Sequence, residues 1–220
     1  MSFLPGMHPG FIAAAAELTT LSFFASSTSE IATITLPANI EAGDIIVLFD
    51  AGNEAGIPTS VVPTGFTSIF DVGTEIGVID ARRIASYKIA VGTEGGTNIT
   101  GMNSGEMEKV ALVFRGNIPV TSVNVADIAT EATSGNPAAQ VINASGGAVP
   151  LVLVGCVNSL TNLGASDSFS PAADAVVSTG ADTNVYYKVY NSSPADHTLD
   201  MGDPGTGNFL GSFYMEAVAA

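Results

Sequence analysis

Short apolar runs recur along the chain, each separated from the next by glycine, proline, serine or asparagine. Residues 31–36 alternate between apolar and polar positions, which is typical of a half-buried strand. Residues 45–49 are apolar at every position and predict a central strand that is covered on both faces. No stretch keeps a helical period, and only residues 12–18 favour a turn or two of helix. The pattern therefore predicts an all-β protein.

Further strands are expected where β-branched and aromatic residues cluster between turn signals, and a turn is expected at residues 41–44. These strands cover residues 20–26, 64–70, 75–79, 83–90, 97–102, 108–115, 120–128 and 151–157.

The second half of the chain repeats landmarks of the first half in the same order, about a hundred residues later. Residues 45–49 match 151–154, and the matching single positions are Phe66 with Phe169, Tyr87 with Tyr187, Met102 with Met201 and Phe114 with Phe213. Strand parity agrees, because the residues two before and two after each of the matched tyrosines are apolar. The two halves are therefore expected to bury the same face.

Two architectures satisfy this repetition. One is a single antiparallel, jelly-roll-like sandwich over residues 19–220, with pseudo-twofold repeats at about 19–118 and 119–220. The other is two tandem seven-strand sandwiches of about 100 residues each. We favour the single sandwich, because no linker separates the halves.

Residues 1–18 differ from the rest of the chain. Four proline and glycine residues forbid a regular helix or strand there, yet several side chains are apolar. Such a segment is expected to be a docking arm that rests on its own sandwich, on a second copy or on another protein. The expected docking residues are Phe3, Leu4, Pro5, Met7 and Phe11.

Charge excludes several classes of partner. The 220 residues carry 21 acidic and six basic side chains, for a net charge of −15. Nucleic-acid binding is excluded because phosphate neutralisation needs clustered Lys and Arg.

The lengths of the apolar runs bear on membranes. No membrane insertion is expected, since no apolar run approaches ~18 residues. Cys156 lies alone inside an apolar run, so a buried thiol and no disulfide framework are expected.

Few residues are suited to catalysis. The only histidines are His8, in the arm, and His197, which is expected in an exposed loop. Neither accompanies a nucleophile motif, so an enzyme is not expected. Asp196, His197, Asp200 and Asp203 supply possible ligands, but their spacing lacks the features of a calcium loop. We expect no metal and no cofactor.

One strand carries a candidate contact surface. Tyr186, Lys188 and Tyr190 share the face opposite Tyr187. If exposed, this row would suit a glycan or a neighbouring protein. The alternative is an amphipathic outer face that is partly covered by a loop.

Residues 33–116 resemble a domain that is common in structural and tail-fibre-like proteins of tailed bacteriophages and in some bacterial surface proteins. The resemblance rests on five motifs in a fixed order, namely Ala42-Gly43-Asp44, the apolar residues 45–49, Pro63-Thr64-Gly65-Phe66-Thr67, Tyr87-Lys88 and Phe114-Arg115-Gly116. The opening residues 3–7 also resemble short N-terminal arms of small virion proteins.

The resemblance implies a non-enzymatic protein of the virion. Its expected partners are other virion proteins, further copies of itself and a host-surface glycan or protein. A place at the tail tip or fibre is favoured, and a capsid decoration protein or an adhesive module of a bacterial surface protein remain as alternatives.

Overall fold

The computed structural model describes residues 17–54, 61–76, 79–100, 102, 106–133, 136–159, 168–179, 183–202 and 208–219. Within these ranges every regular element is a β-strand, and every strand pair is antiparallel, so the all-β prediction is confirmed. No helix among the described residues is long and apolar enough to cross a membrane.

The first half of the chain forms β1 Leu21–Ser29, β2 Ile34–Thr35, β3 Ile45–Glu54, β4 Thr67–Ile76, β5 Ile79–Ile89, β6 Asn98–Ile99 and β7 Glu106–Gly116. The second half forms β8 Ser122–Thr133, β9 Gln140–Ile142, β10 Leu151–Ser159, β11 Ser168–Ser170, β12 Ala175–Thr179, β13 Thr183–Tyr190, β14 His197–Asp200 and β15 Asn208–Val218.

Two five-stranded sheets form the body of the protein. Sheet I has the order β1-β7-β3-β5-β4, and sheet II has the order β8-β15-β10-β13-β12. If the five strands of each sheet are numbered in the order in which they occur along the chain, the two sheets have the same spatial order of strands. Two small outer sheets complete the fold, β2-β6 beside sheet I and β9-β14-β11 beside sheet II.

The main core lies between sheets I and II. Alternate side chains of β3, such as Val47 and Phe49, pack there with Val154 of β10 and Phe213 of β15. The other side chains of β3 pack beneath the β2-β6 sheet, and those of β10 pack beneath the three-stranded outer sheet. Both central strands are thus buried on both faces, which explains their continuous apolar runs.

The strand register matches between the sheets. Ile45 lies between Ile89 and Phe114, and Val152 lies between Val189 and Met215. Phe114 therefore corresponds to Met215, and the sequence match of Phe114 with Phe213 is wrong by two residues, because Phe213 pairs with Val154. Tyr87 and Tyr187 both face the main core, as the parity of their strands predicts. Met102 and Met201 lie in the two outer cores, and so do Phe66 and Phe169.

Two expectations need correction. The predicted strand 75–79 is wrong, because it combines the end of β4 with the start of β5. The jelly-roll arrangement is not confirmed, since each large sheet takes all of its strands from one half of the chain and strands do not alternate between sheets. The proposed helical turn at 12–18 lies mostly outside the described residues.

Candidate functional site

The expected docking residues Phe3, Leu4, Pro5, Met7 and Phe11 lie outside the described residues. The described chain begins at Glu17, beside the start of β1. We call this end of the sandwich the arm end; in sheet I it holds Leu21 and Gly116, which pair with each other, and in sheet II it holds Tyr190.

Asn117 fastens the chain just before β1. Its Oδ1 accepts the backbone N–H groups of Thr19 and Thr20, both at 3.0 Å, and its Nδ2 donates to the Glu17 carbonyl oxygen at 2.9 Å. One side chain therefore holds three backbone groups of the segment that leads into β1.

A second asparagine makes a similar contact from the other half of the chain. Asn191 Oδ1 accepts the Leu21 N–H at 2.7 Å, and its Nδ2 donates to the Leu21 carbonyl oxygen at 3.0 Å. Leu18 packs against the main core and against Gly116, where an added Cβ would lie 2.6 Å from Leu18 Cδ1. Both halves thus fix the direction in which the chain enters the sandwich.

The turn at 41–44 packs against the segment that connects the two halves of the chain. Gly43 has φ 89°, and an added Cβ there would lie 2.5 Å from Pro119 Cα. The Val120 N–H donates to the Gly43 carbonyl oxygen at 3.2 Å. Only glycine allows this close approach in a left-handed conformation.

Arg115 closes the same turn. Its Nε and Nη2 donate to the two oxygens of buried Asp44 at 2.8 and 2.7 Å, while Nη1 reaches Glu41 at 2.7 Å. The guanidinium also lies 4.0 Å from the centre of the Phe24 ring. The Asp44 hydrogen bond raises the pKa of Arg115. A pocket of about 120 Å³ adjoins these residues, but its charged side chains already bind one another.

The expected exposed row on β13 is wrong at Tyr186, whose side chain is only 7% exposed and stacks on Phe169. At Tyr186 the other interpretation of the sequence applies, namely an outer face that is covered, although the three-stranded outer sheet covers it and not a loop. Lys188 binds Asp174 at 2.6 Å, and Tyr190 Oη lies 2.9 Å from His197 Nε2. Lys188 and Tyr190 remain partly exposed, and their role as surface contacts stays a prediction.

His197 does not lie in an exposed loop. It begins β14 with 1% exposure and packs against the rings of Phe169 and Tyr190. Burial lowers its pKa. The turn-forming residues Pro194 and Asp196 just before His197 hid this placement in the sequence. Among the described residues no group of three or more His, Cys, Asp or Glu is placed to hold a metal ion; Asp203 lies outside them.

Sequence reasoning missed a set of buried charges. Lys109 Nζ lies 3.2 Å from Asp50 Oδ1 between the adjacent strands β7 and β3. Arg83 is buried on the other face of sheet I, where its Nη1 donates to the Gly52 carbonyl oxygen at 2.8 Å. Burial lowers the pKa of Arg83 to about 10. Strand parity was the available signal, because each of these residues shares a sheet face with apolar residues of its own strand, as Asp50 does with Leu48 and Lys109 with Ala111.

Cys156 is buried in the main core, as expected, and burial raises the pKa of its thiol.

Comparisons of the chain with protein-family models, with curated proteins and with solved structures give no match. The functional argument therefore rests on the chain itself, and the arm end offers its best-defined candidate site.

Proposed function

We propose that this chain is a non-enzymatic structural protein of a tailed-phage virion, anchored through its N-terminal arm and displaying the sandwich outward. A tail-tip or fibre position is favoured. The proposal includes self-association on the particle and a contact between the sandwich and the host surface.

The observation that carries this proposal is the fastening of residues 17–21 by Asn117 and Asn191. These side chains give the segment before β1 a fixed point of departure at one end of the sandwich. The sixteen residues before Glu17 include Phe3, Leu4 and Met7, whose apolar side chains suit contact with a neighbouring protein.

We also propose that the two halves are copies of one ancestral unit related by a pseudo-twofold axis. Three observations support the duplication: the shared strand order, the shared register around Tyr87 and Tyr187, and the parallel placement of Met102 and Met201. In that case the arm is the element that the second half does not repeat, which favours a function for the arm outside the repeated core.

A glycan-binding role depended on an exposed aromatic row. The burial of Tyr186 removes the first ring of that row. Lys188 is also held by Asp174. No observation favours a second function strongly enough to carry it.

Immunogold labelling of virions with antibodies raised against the sandwich tests the proposal. We expect label on the particle, at the tail tip or fibre. Label spread over the head would instead indicate a capsid decoration protein. Virions without label would contradict a structural role, provided that the same antibodies detect the protein in infected cells.

A further inference from the structure

The buried Asp50 and Lys109 side chains are placed for a reaction that the proposed function does not require. They are direct cross-strand partners on β3 and β7, the central and neighbouring strands of sheet I. Both point to the outer face of that sheet, next to the apolar side chains of Leu48 and Ala111. The side chain of Lys109 is 0% exposed and that of Asp50 is 3% exposed.

We propose that Lys109 and Asp50 condense to an intramolecular isopeptide bond. The amine nitrogen of Lys109 attacks Cγ of the Asp50 carboxyl group, a C–N bond forms, and the C–O bond to one carboxyl oxygen breaks. An ammonium and a carboxylate together contain all the atoms of one amide and one water molecule. The reaction therefore needs no oxidant, reductant or outside proton.

The separation of the groups suits this attack. Lys109 Nζ lies 3.2 Å from Oδ1, which is bonded to the carbon that would be attacked. Groups that are held next to each other in a fixed orientation react as if they were highly concentrated, with effective molarities on the order of 10⁵–10⁸ M in well-oriented intramolecular reactions. Two neighbouring strands of a packed sheet keep the side chains in that position.

Burial supplies the driving force. Removing an ammonium and a carboxylate from water is costly, and their mutual attraction offsets this cost only in part. Condensation replaces both charges with a neutral amide and releases a water molecule. Burial also lowers the pKa of Lys109, against the opposing effect of Asp50, and so favours the neutral amine that attacks.

Arg82 adds a positive charge on the same face of sheet I. It lies on β5, two residues before Ile84, and Ile84 is the cross-strand partner of Asp50. It binds Asp71 through two hydrogen bonds of 2.7 Å, and its charge also interacts with Asp50. A neighbouring positive charge stabilises the negative charge that develops on the Asp50 oxygen when the amine attacks.

The chain contains a matched control. Lys188 and Asp174 are closer, with Nζ and Oδ1 2.6 Å apart, but their side chains are 28% and 36% exposed. Water solvates both charges there, so the ion pair has no reason to condense. Proximity is thus common to both pairs, and burial is what distinguishes them.

Intact-mass spectrometry of the full-length protein tests the proposal. We expect a mass lower than that of the sequence by one water molecule, and fragment spectra that join Lys109 to Asp50. K109R and D50A should each have the full mass of their own sequence, without the loss of water. K188R and D174A should keep the dehydration, because they alter only the exposed pair.

A wild-type protein with the full sequence mass would overturn the proposal and leave an ion pair only. A lost water located at any other residue would overturn it as well. The wild-type mass decides the question even if K109R or D50A fails to fold. The result is independent of the virion role, since a free recombinant protein is sufficient for the measurement.

Discussion

At the scale of single residues, Glu94 fixes the turn that follows β5. Its carboxylate accepts the backbone N–H groups of Val91, Gly92 and Thr93 at 2.9–3.2 Å, and Lys88 Nζ lies 2.7 Å away. Burial acts to raise the pKa of Glu94. The bonds from Lys88 and from the backbone together outweigh burial and hold this pKa at about 2, below the ordinary value of 4.5.

Replacing Glu94 by Gln should reduce the free energy of unfolding by about 2 kcal/mol at neutral pH, because several charge-assisted hydrogen bonds are weakened. The pKa of Glu94 is lowered by folding, so its contribution is complete above pH 4.5 and is lost as the pH falls towards 2. Urea unfolding of wild type and E94Q at several pH values measures this. A difference that stays constant down to pH 2 would contradict the assignment.

Gly43 illustrates a purely steric requirement. G43A would combine a left-handed backbone with a Cβ placed 2.5 Å from Pro119. G96A is the matched control, since Gly96 has φ 70° but nothing within 4 Å of the added Cβ. Both variants should lose about 1–2 kcal/mol from backbone strain, and G43A should lose about 1–3 kcal/mol more from overpacking. Equal losses in thermal unfolding would show that the close approach to Pro119 is unimportant.

At the scale of elements, the sequence predicted the buried strands better than their boundaries. The apolar run at 45–49 identified β3, because a strand covered on both faces needs no polar alternation. The hairpin between β4 and β5 was missed, since Ile76 and Ile79 continue a β-like pattern across it. His197 was missed because its burial depends on Phe169 and Tyr190, whose side chains meet it only in the folded chain.

Hydrogen exchange should separate central from edge strands. Every residue of β10 is buried, and β10 is paired on both sides. The edge strand β12 is paired only with β13 and alternates between more and less exposed residues. We expect amides of β10 to exchange slowest and those of β12 much faster. Equal protection of the two strands would contradict the sheet order.

At the scale of the whole molecule, the main core couples the two halves. Phe23 of sheet I stacks on Tyr187 of sheet II at 4.7 Å between ring centroids, and Phe70 lies 5.7 Å from Phe209. Glu108 and Asn158 make a polar contact of 3.4 Å across the same interface. The halves therefore share side-chain packing from one end of the sandwich towards the other.

This coupling predicts one cooperative unfolding transition. Calorimetry should give equal calorimetric and van't Hoff enthalpies, and far- and near-UV circular dichroism should change together. Two resolved transitions would instead indicate two sandwiches that unfold independently, which is the architecture that the sequence left open.

The central claim, that the arm anchors the sandwich to a particle, is tested most directly by co-sedimentation with virions. The variant should lack residues 1–16 and keep Leu18 and Asn117, which belong to the folded body. We expect this variant to fold, as judged by circular dichroism, and to remain in the supernatant while the full-length protein sediments with particles that lack it. A folded variant that sediments as efficiently as the full-length protein would contradict the account.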